Sequence, residues 1–263
     1  MFPFIFIFRS FVCSSFDIFI SPTLHTVFEV GPVFRAENSN TRRHLCEFTG
    51  LDMEMSIKEH YNEALEVIHN TFRHIFNGLE EKYPKELEVI REQYPSEPVI
   101  FTEKPLIIHW HEGIQLLKEA GIEHGEFDDL NTATELALGE EVKKKYGADF
   151  YILDQYPADI RPFYTMPMPS NPKFSNSYDI FIRGQEICSG AQRCHEADQL
   201  VAAVKAKGME LDSLAYYIES FRHGVKPHAG AGIGLERVVF LYLGLDNVRK
   251  SSMFPRDPNR VEP

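Results

Sequence analysis

Two arginine-containing segments, about two hundred residues apart in the 263-residue chain, constrain the fold more than any other feature. Near the start, Phe34-Arg35-Ala36-Glu37 ends a run rich in β-branched and aromatic residues, which predicts a β-strand. Near the end, Gly232-Ile233-Gly234-Leu235-Glu236-Arg237 leads into an almost wholly apolar run, which predicts a buried helix. A guanidinium is suited to holding phosphate in a fixed geometry. The two segments therefore predict one domain in which two arginines hold a polyphosphate substrate.

The first arginine segment predicts one arm of an antiparallel hairpin. Side chains two apart share a face of a strand, so Arg35 and Glu37 are expected to point the same way. A polar loop with three cationic or near-cationic side chains follows at 38–44. The next stretch alternates again, with Asp52 and Glu54 on its polar face. A solvated hairpin with surface charges is the alternative that this pattern alone leaves open.

The rest of the chain favours an α+β fold, with an antiparallel β-sheet flanked by helices. Ser56 to Glu59 has the pattern of a capping box and predicts the start of a helix that reaches about Lys82. A loop-rich helical insertion is expected at about 83–130, where prolines are frequent. Other expected elements are strands at 149–153 and 163–166, a hairpin around Arg183-Gly184, and helices over 128–146, 197–207, 211–223 and 238–243.

Charge and cysteine usage exclude several classes of protein. The net charge of −12 argues against a general nucleic-acid binder, although a local basic patch is compatible with it. The four cysteines have neither zinc-finger nor redox spacing, which favours reduced thiols and a cytoplasmic location. The apolar start of the chain lacks a preceding basic residue and is interrupted by Arg9 and Asp17, which argues against a signal peptide or a membrane helix.

Four segments taken together are similar to a known family. The hairpin from Phe34 to Glu54 resembles motif 2 of the class II aminoacyl-tRNA synthetases, and Gly230 to Arg237 resembles motif 3. Two further segments, Glu186-Ile187-Cys188-Ser189-Gly190-Ala191-Gln192-Arg193 and Met253-Phe254-Pro255-Arg256-Asp257-Pro258, resemble the aspartate branch of archaeal and eukaryotic cytosolic type. The resemblance implies the class II synthetase fold.

The resemblance covers about 27–263, which is expected to form one class II catalytic domain. The family's motif 1 and its substrate-binding lysine loop lie upstream of motif 2, and neither is found in the apolar, atypical segment 1–26. We therefore expect a catalytic domain that is incomplete at its amino terminus. The family implies a homodimer that forms through motif 1. The absence of motif 1 is therefore expected to leave apolar surface open and to impair both dimer formation and activity.

The resemblance implies an aspartate–tRNA ligase that activates aspartate with ATP and Mg²⁺ and then transfers it to the acceptor end of tRNA(Asp). Arg35 and Arg237 are implied to be catalytic. The implied ATP-binding residues are Arg35, Ala36, Glu37, Arg43, His44, Leu45, Phe48, Glu186, Gly234, Leu235, Glu236 and Arg237. The implied aspartate-binding residues are Asp52, Ser189 and Arg193, and the implied Mg²⁺ ligands are Glu186 and Ser189.

Three further expectations accompany these roles. Glu186 and Ser189 lie on opposite faces of an ideal strand, so both can face a metal only if the strand ends or bulges near Ser189-Gly190. Arg193 would pair with the substrate's side-chain carboxylate, so asparagine would leave it unpaired. Ala231 replaces an expected glycine, and its methyl group is expected to crowd the amino-acid pocket.

Other functions stay open at this level. An asparaginyl or non-discriminating synthetase shares much of the same scaffold. A catalytically silent, synthetase-like protein that binds a nucleotide or a partner would explain the missing motif 1 and lysine. A ligase that forms asparagine without tRNA is a further possibility on the same fold.

Overall fold

The computed structural model describes residues 25–262, which form a seven-stranded β-sheet with helices on both faces. The strands are β1 (Thr26–Phe34), β2 (Glu47–Ser56), β3 (Ile107–His109), β4 (Phe150–Asp154), β5 (Ser177–Ile182), β6 (Gln185–Gln192) and β7 (His228–Gly234). Their spatial order is β1-β2-β7-β6-β5-β4-β3. In this part of the chain every pairing is antiparallel except β3 with β4. The predicted antiparallel sheet is thus confirmed for the six strands β1, β2, β7, β6, β5 and β4. The short edge strand β3 is parallel to β4 and makes the sheet mixed.

The helices pack on both faces of this sheet. They are α1 (Asn62–Lys82), α2 (Pro84–Gln93), α3 (Trp110–Glu119), α4 (Thr132–Tyr146), α5 (Ala197–Ala206), α6 (Ala215–Arg222) and α7 (Leu235–Tyr242). On one face, α1 and α7 bury apolar side chains such as Phe72 and Phe240 against β5, β6 and β7. On the other face, α3 and α4 pack against Tyr151 and Phe181. On this face α3 contacts β3 and β4, and α4 contacts β6 and the turn before it, which leaves room above β2 and β7.

The β5–β6 hairpin is confirmed where the sequence predicts it. Arg183 and Gly184 have φ angles of 50° and 70°, both in the left-handed region. Two successive left-handed residues form the tight turn whose twist matches that of the flanking strands. This hairpin places the residues of β6 beside β7 at the centre of the sheet.

Three local predictions were wrong. The segment Ser56 to Glu59 does not cap α1, which begins later at Asn62; instead the Glu63 carboxylate accepts hydrogen bonds from three backbone N–H groups before the helix. The range 163–166 makes only an isolated bridge, at Thr165, because its first part is a turn in which the Thr165 N–H donates to the Pro162 carbonyl oxygen at 3.1 Å. The range 211–223 divides into a 3₁₀ turn and α6.

The expectations for segment 1–26 fall, apart from His25 and Thr26, outside the described residues, so they stay predictions. The range 83–130 contains α2, β3 and α3, and its status as an insertion also stays a prediction. Between residues 25 and 262, the helices are all too short or too polar to cross a membrane.

Candidate active site

A cavity of about 560 Å³ lies over the central strands, on the face that α3 and α4 leave open. Its walls come from β1, β2, β6, β7, the loop after β1 and the start of α7. The sequence-predicted residues that line it are Arg35, Arg43, His44, Leu45, Phe48, Asp52, Glu186, Ser189, Arg193, Gly234, Glu236 and Arg237. The sheet thus gathers twelve positions spread over more than two hundred residues of sequence into one concave surface.

Three predicted residues do not line the cavity. Ala36 is exposed, and Leu235 packs against the buried core cluster. The Glu37 carboxylate accepts a hydrogen bond from the backbone N–H of Ser39 at 2.8 Å. Their proposed contacts with a nucleotide therefore have no support from the cavity lining, and their roles stay predictions.

A β-bulge in β6 solves the geometric problem of Glu186 and Ser189. Cys188 pairs with Ile180 and Glu186 pairs with Phe181, so Ile187 is an extra residue in β6. An extra residue shifts the alternation of side chains by one position. Both Glu186 and Ser189 consequently line the cavity. The predicted irregularity exists, but it lies at Ile187 and not near Gly190.

Glycines of β7 allow the strands to approach one another beneath the cavity. A Cβ atom on Gly230 would lie 1.7 Å from an oxygen of Glu54, and one on Gly232 would lie 2.8 Å from an oxygen of Asp52. A Cβ atom on Gly230 would also lie 2.1 Å from the backbone carbonyl oxygen of Met53, so this position excludes a side chain, whereas a side chain at Gly232 would displace the Asp52 carboxylate. Ala231, between these glycines, belongs to the buried core cluster and does not line the cavity. The expectation that its methyl group crowds the amino-acid pocket was wrong.

The outer end of the cavity contains three arginines with different partners. The Arg35 guanidinium lies 4.8 Å from the ring centroid of Phe48, and its buried Nε has no hydrogen-bond partner. Arg237 donates from Nη1 to the Glu186 carbonyl oxygen at 2.9 Å and lies 3.5 Å from a carboxylate oxygen of the same residue. Arg43 forms an ion pair with Glu135 of α4. Within the described residues no carboxylate pairs with Arg35, so this guanidinium is the best placed to receive an anion.

Glu135 and Glu236 are carboxylates near the outer end whose partners are protein groups. Burial raises the pKa of the Glu135 carboxyl, and the hydrogen bonds from Arg43 oppose that rise. Glu236 accepts hydrogen bonds from the backbone N–H and the hydroxyl of Thr49, at 2.8 to 3.1 Å, and so joins α7 to β2. The observed contacts of Glu236 are thus with the protein, at the edge of the cavity.

The inner end of the cavity contains a buried ion pair. Arg193 Nε donates to Glu54 Oε1 at 2.6 Å, and the two side chains are 3% and 0% exposed. The Arg193 guanidinium also lies 5.1 Å from the ring centroid of Tyr164. Asp52, two residues from Glu54, lies on the same face of β2 and lines the cavity. The alternation of β2 predicts Glu54 on this face, but no motif gives Glu54 a function.

A cluster at the floor of the cavity contains functional candidates that no sequence motif indicates. Arg161 donates from Nη2 to Asp179 at 2.8 Å and from Nη1 to the Ser189 hydroxyl at 3.3 Å, and its guanidinium stacks 3.7 Å from the centroid of Tyr156. Burial raises the pKa of Asp179, against the effect of Arg161. Arg161 lies in an irregular segment without a motif, so no sequence pattern marked it.

The oxygen donors of this region fit a magnesium ion. Mg²⁺ is usually bound through one or two protein carboxylates, together with substrate phosphates and water. Glu186 and Ser189 line the cavity, and Asp179 Oδ1 beside them is buried without a hydrogen-bond partner. The described residues contain no cluster of three or more His, Cys, Asp or Glu side chains arranged to hold a metal alone. Glu186 and Ser189, with Asp179 beside them, are the residues that would hold the ion.

Comparisons with known proteins agree on one family. A family model described as "tRNA synthetases class II (D, K and N)" matches residues 17–258, a range that begins within the segment set apart as atypical. The cytoplasmic aspartate–tRNA ligase of Homo sapiens is 52% identical over 252 residues, which cover 96% of this chain and 49% of that protein. Aspartate–tRNA ligase 2 of Arabidopsis thaliana, also cytoplasmic, is 52% identical over 91% of this chain and 43% of its own length. The chain spans about half the length of the curated relatives it matches.

Solved structures extend the comparison to the asparagine enzymes. An aspartyl-tRNA synthetase from Entamoeba histolytica superposes with a TM-score of 0.93 at 52% identity, covering 95% of this chain and 51% of that one. The asparaginyl-tRNA synthetase of Pyrococcus horikoshii, complexed with asparaginyl-adenylate, gives a TM-score of 0.82 at 29% identity, covering 94% and 56%. Both the backbone and the sequence are more similar to the aspartate enzyme than to this asparagine enzyme.

Proposed function

The chain belongs to the class II tRNA synthetases of the aspartate, lysine and asparagine group, and on that premise we propose that it is the catalytic unit of an aspartate–tRNA ligase. One observation carries the proposal. A single cavity is lined by arginines suited to phosphate at its outer end and by Asp52 and Arg193 at its inner end, where the buried Glu54 pairs with Arg193. ATP and aspartate can therefore lie end to end in it. The relatives are named as cytoplasmic proteins, and we propose the same location for this chain.

In the first step an α-carboxylate oxygen of aspartate attacks the α-phosphorus of ATP. The bond from that phosphorus to the bridging oxygen breaks, pyrophosphate leaves with the electron pair, and aspartyl-adenylate forms. Negative charge spreads over the phosphate oxygens, so the protein acts mainly by positioning the reactants and stabilising charge. Arg35 suits the α-phosphate, because its guanidinium lines the cavity without a carboxylate partner.

The outer phosphates would lie near Arg43, His44 and Arg237. The ring of Phe48, stacked with Arg35, offers a flat surface to adenine. Glu186 and Ser189 would hold Mg²⁺ together with the phosphates. When bound, the ion supplies positive charge that neutralises and orients the phosphate oxygens.

The inner end would select the amino acid by charge. Arg193 would donate to the side-chain carboxylate of aspartate, and Asp52 would accept from its ammonium group. Glu54 holds the Arg193 guanidinium in place through a contact that solvent does not reach. Asparagine would bring an uncharged amide to this cation, and a desolvated polar group without a good partner costs about 1–3 kcal/mol.

In the second step a hydroxyl oxygen at the 3′ end of tRNA attacks the carbonyl carbon of the adenylate. The bond between that carbon and the phosphate oxygen breaks, AMP leaves, and the new ester joins aspartate to the tRNA. The partners of the proposed function are therefore aspartate, ATP and the acceptor end of tRNA(Asp).

Calorimetric binding of stable adenylate analogues tests the proposal without requiring turnover. The sulfamoyl analogue of aspartyl-adenylate should bind at least ~100-fold more tightly than the asparaginyl analogue, as expected when a site is built to pair with a charged group. Equal affinity for the two analogues would indicate a non-discriminating enzyme. If the folded protein bound neither analogue nor Mg²⁺-ATP, the proposed function would be wrong.

A further inference from the structure

Arg43, at the outer end of the cavity, is held by a carboxylate that lies outside the resembling motifs. Glu135, in the first turn of α4, accepts hydrogen bonds from both terminal nitrogens of Arg43, with 3.2 Å between Nη2 and Oε1. The two side chains are 13% and 7% exposed. A two-point contact of this kind fixes the orientation of the guanidinium and also neutralises its charge.

The loop that carries Arg43 is anchored independently of this contact. Arg237 Nη2 donates to the carbonyl oxygen of Arg43 at 3.3 Å. Arg249 Nη1 donates to the carbonyl oxygen of Thr41 at 2.8 Å, and the N–H of Val248 donates to that of Arg42 at 2.8 Å. The backbone can thus stay in place while the side chain of Arg43 exchanges one anionic partner for another.

We propose that Glu135 is a positioning residue that competes with the outer phosphates for Arg43 and so weakens the cavity's hold on pyrophosphate. The inference rests on the proposed function, in which pyrophosphate is the first product. A buried guanidinium without a partner is costly, so an arginine with no alternative to phosphate would retain the product. Glu135 gives Arg43 a partner both before the nucleotide binds and after pyrophosphate leaves.

The test measures the dissociation constants of inorganic pyrophosphate and Mg²⁺-ATP by titration calorimetry. Glu135→Gln keeps the shape and one acceptor but removes the charge, so pyrophosphate should bind roughly tenfold more tightly, because one negative charge beside Arg43 is removed. Combining Glu135→Gln with Arg43→Ala should abolish the gain, because the effect acts through Arg43. Glu140→Gln, an exposed position on the same helix, is the matched charge control and should leave the affinity unchanged.

A second variant keeps the test decisive if Glu135→Gln does not fold. Glu135→Asp keeps the charge but is too short for the two-point contact, so it should tighten pyrophosphate binding about twofold to threefold. Each variant must first show a cooperative thermal transition. Weaker or unchanged pyrophosphate binding in the folded variants would overturn the inference and leave Glu135 as a support for Arg43. Absence of binding by the unmutated protein would instead contradict the proposed function.

Discussion

The arginines at the inner and outer ends of the cavity differ in their exposure and in their partners. At the inner end, Arg193 and Glu54 are 3% and 0% exposed and form a pair that water does not reach. At the outer end, Arg237 and Glu186 are 16% and 32% exposed, and Arg35 has no carboxylate partner among the described residues. A pair that water does not reach is costly to open, whereas a pair that keeps some exposure can exchange a carboxylate for a phosphate. Arg237–Glu186 keeps more exposure than Arg43–Glu135, whose side chains are 13% and 7% exposed, and both keep more than Arg193–Glu54. Under the proposed function, the inner end suits fixed recognition and the outer end suits binding and release.

The largest expected effect comes from the unpaired arginine of the outer end. Arg35→Ala should lower the rate of aspartate-dependent exchange of pyrophosphate into ATP by ~10²–10³, since a donor aimed at developing charge typically contributes that much. Thermal stability should change little, because the guanidinium has no ion pair to lose. Arg42→Ala, at an exposed position in the neighbouring loop, is the control. Similar exchange rates in the two variants would mean that Arg35 does not touch the reacting phosphate.

Substitutions at the inner end should change the free energy of unfolding. Glu54→Gln leaves Arg193 buried without a full counter-charge, so the free energy of unfolding should fall by about 3 kcal/mol in urea titrations. Glu66→Gln, exposed on α1, should change it by less than about 0.5 kcal/mol. Replacing both partners by leucine should recover most of the lost stability, yet remove the preference for the aspartyl analogue. A double variant less stable than Glu54→Gln would contradict the assignment of the cost to an unpaired charge.

The smallest effect concerns the stacked ring of the outer end. Phe48→Leu removes the aromatic face that Arg35 contacts and that adenine would stack on, so Mg²⁺-ATP should bind about fivefold more weakly. Phe127→Leu is matched to it, because Phe127 lies outside the cavity and has a similar contact with Lys173. Calorimetry on both variants separates a loss of ATP affinity specific to Phe48 from the general effect of removing an aromatic ring. Equal affinities would remove Phe48 from the proposed nucleotide site.

Sequence patterns predicted the elements whose residues agree with their local preferences. The alternating stretch of β2 placed Asp52 and Glu54 on one face, and the β5–β6 hairpin follows from the turn at Arg183-Gly184. The capping-box prediction failed because two nearby side chains compete for the same backbone N–H groups. The capping pattern at Ser56 has no effect because the carboxylate of Glu63 satisfies the backbone there.

The sequence by itself determined which side chains could hold phosphate, carboxylate and metal, because these capacities are properties of the residues. Only the tertiary structure decided their partners. The Arg193–Glu54, Arg43–Glu135 and Arg161–Asp179 pairs join positions 139, 92 and 18 residues apart, and no period of a helix or strand relates them. The bulge at Ile187 likewise depends on the register between β5 and β6. Charge pairing and strand register are set when the sheet assembles, since both require distant segments of the chain to bury the same surface together.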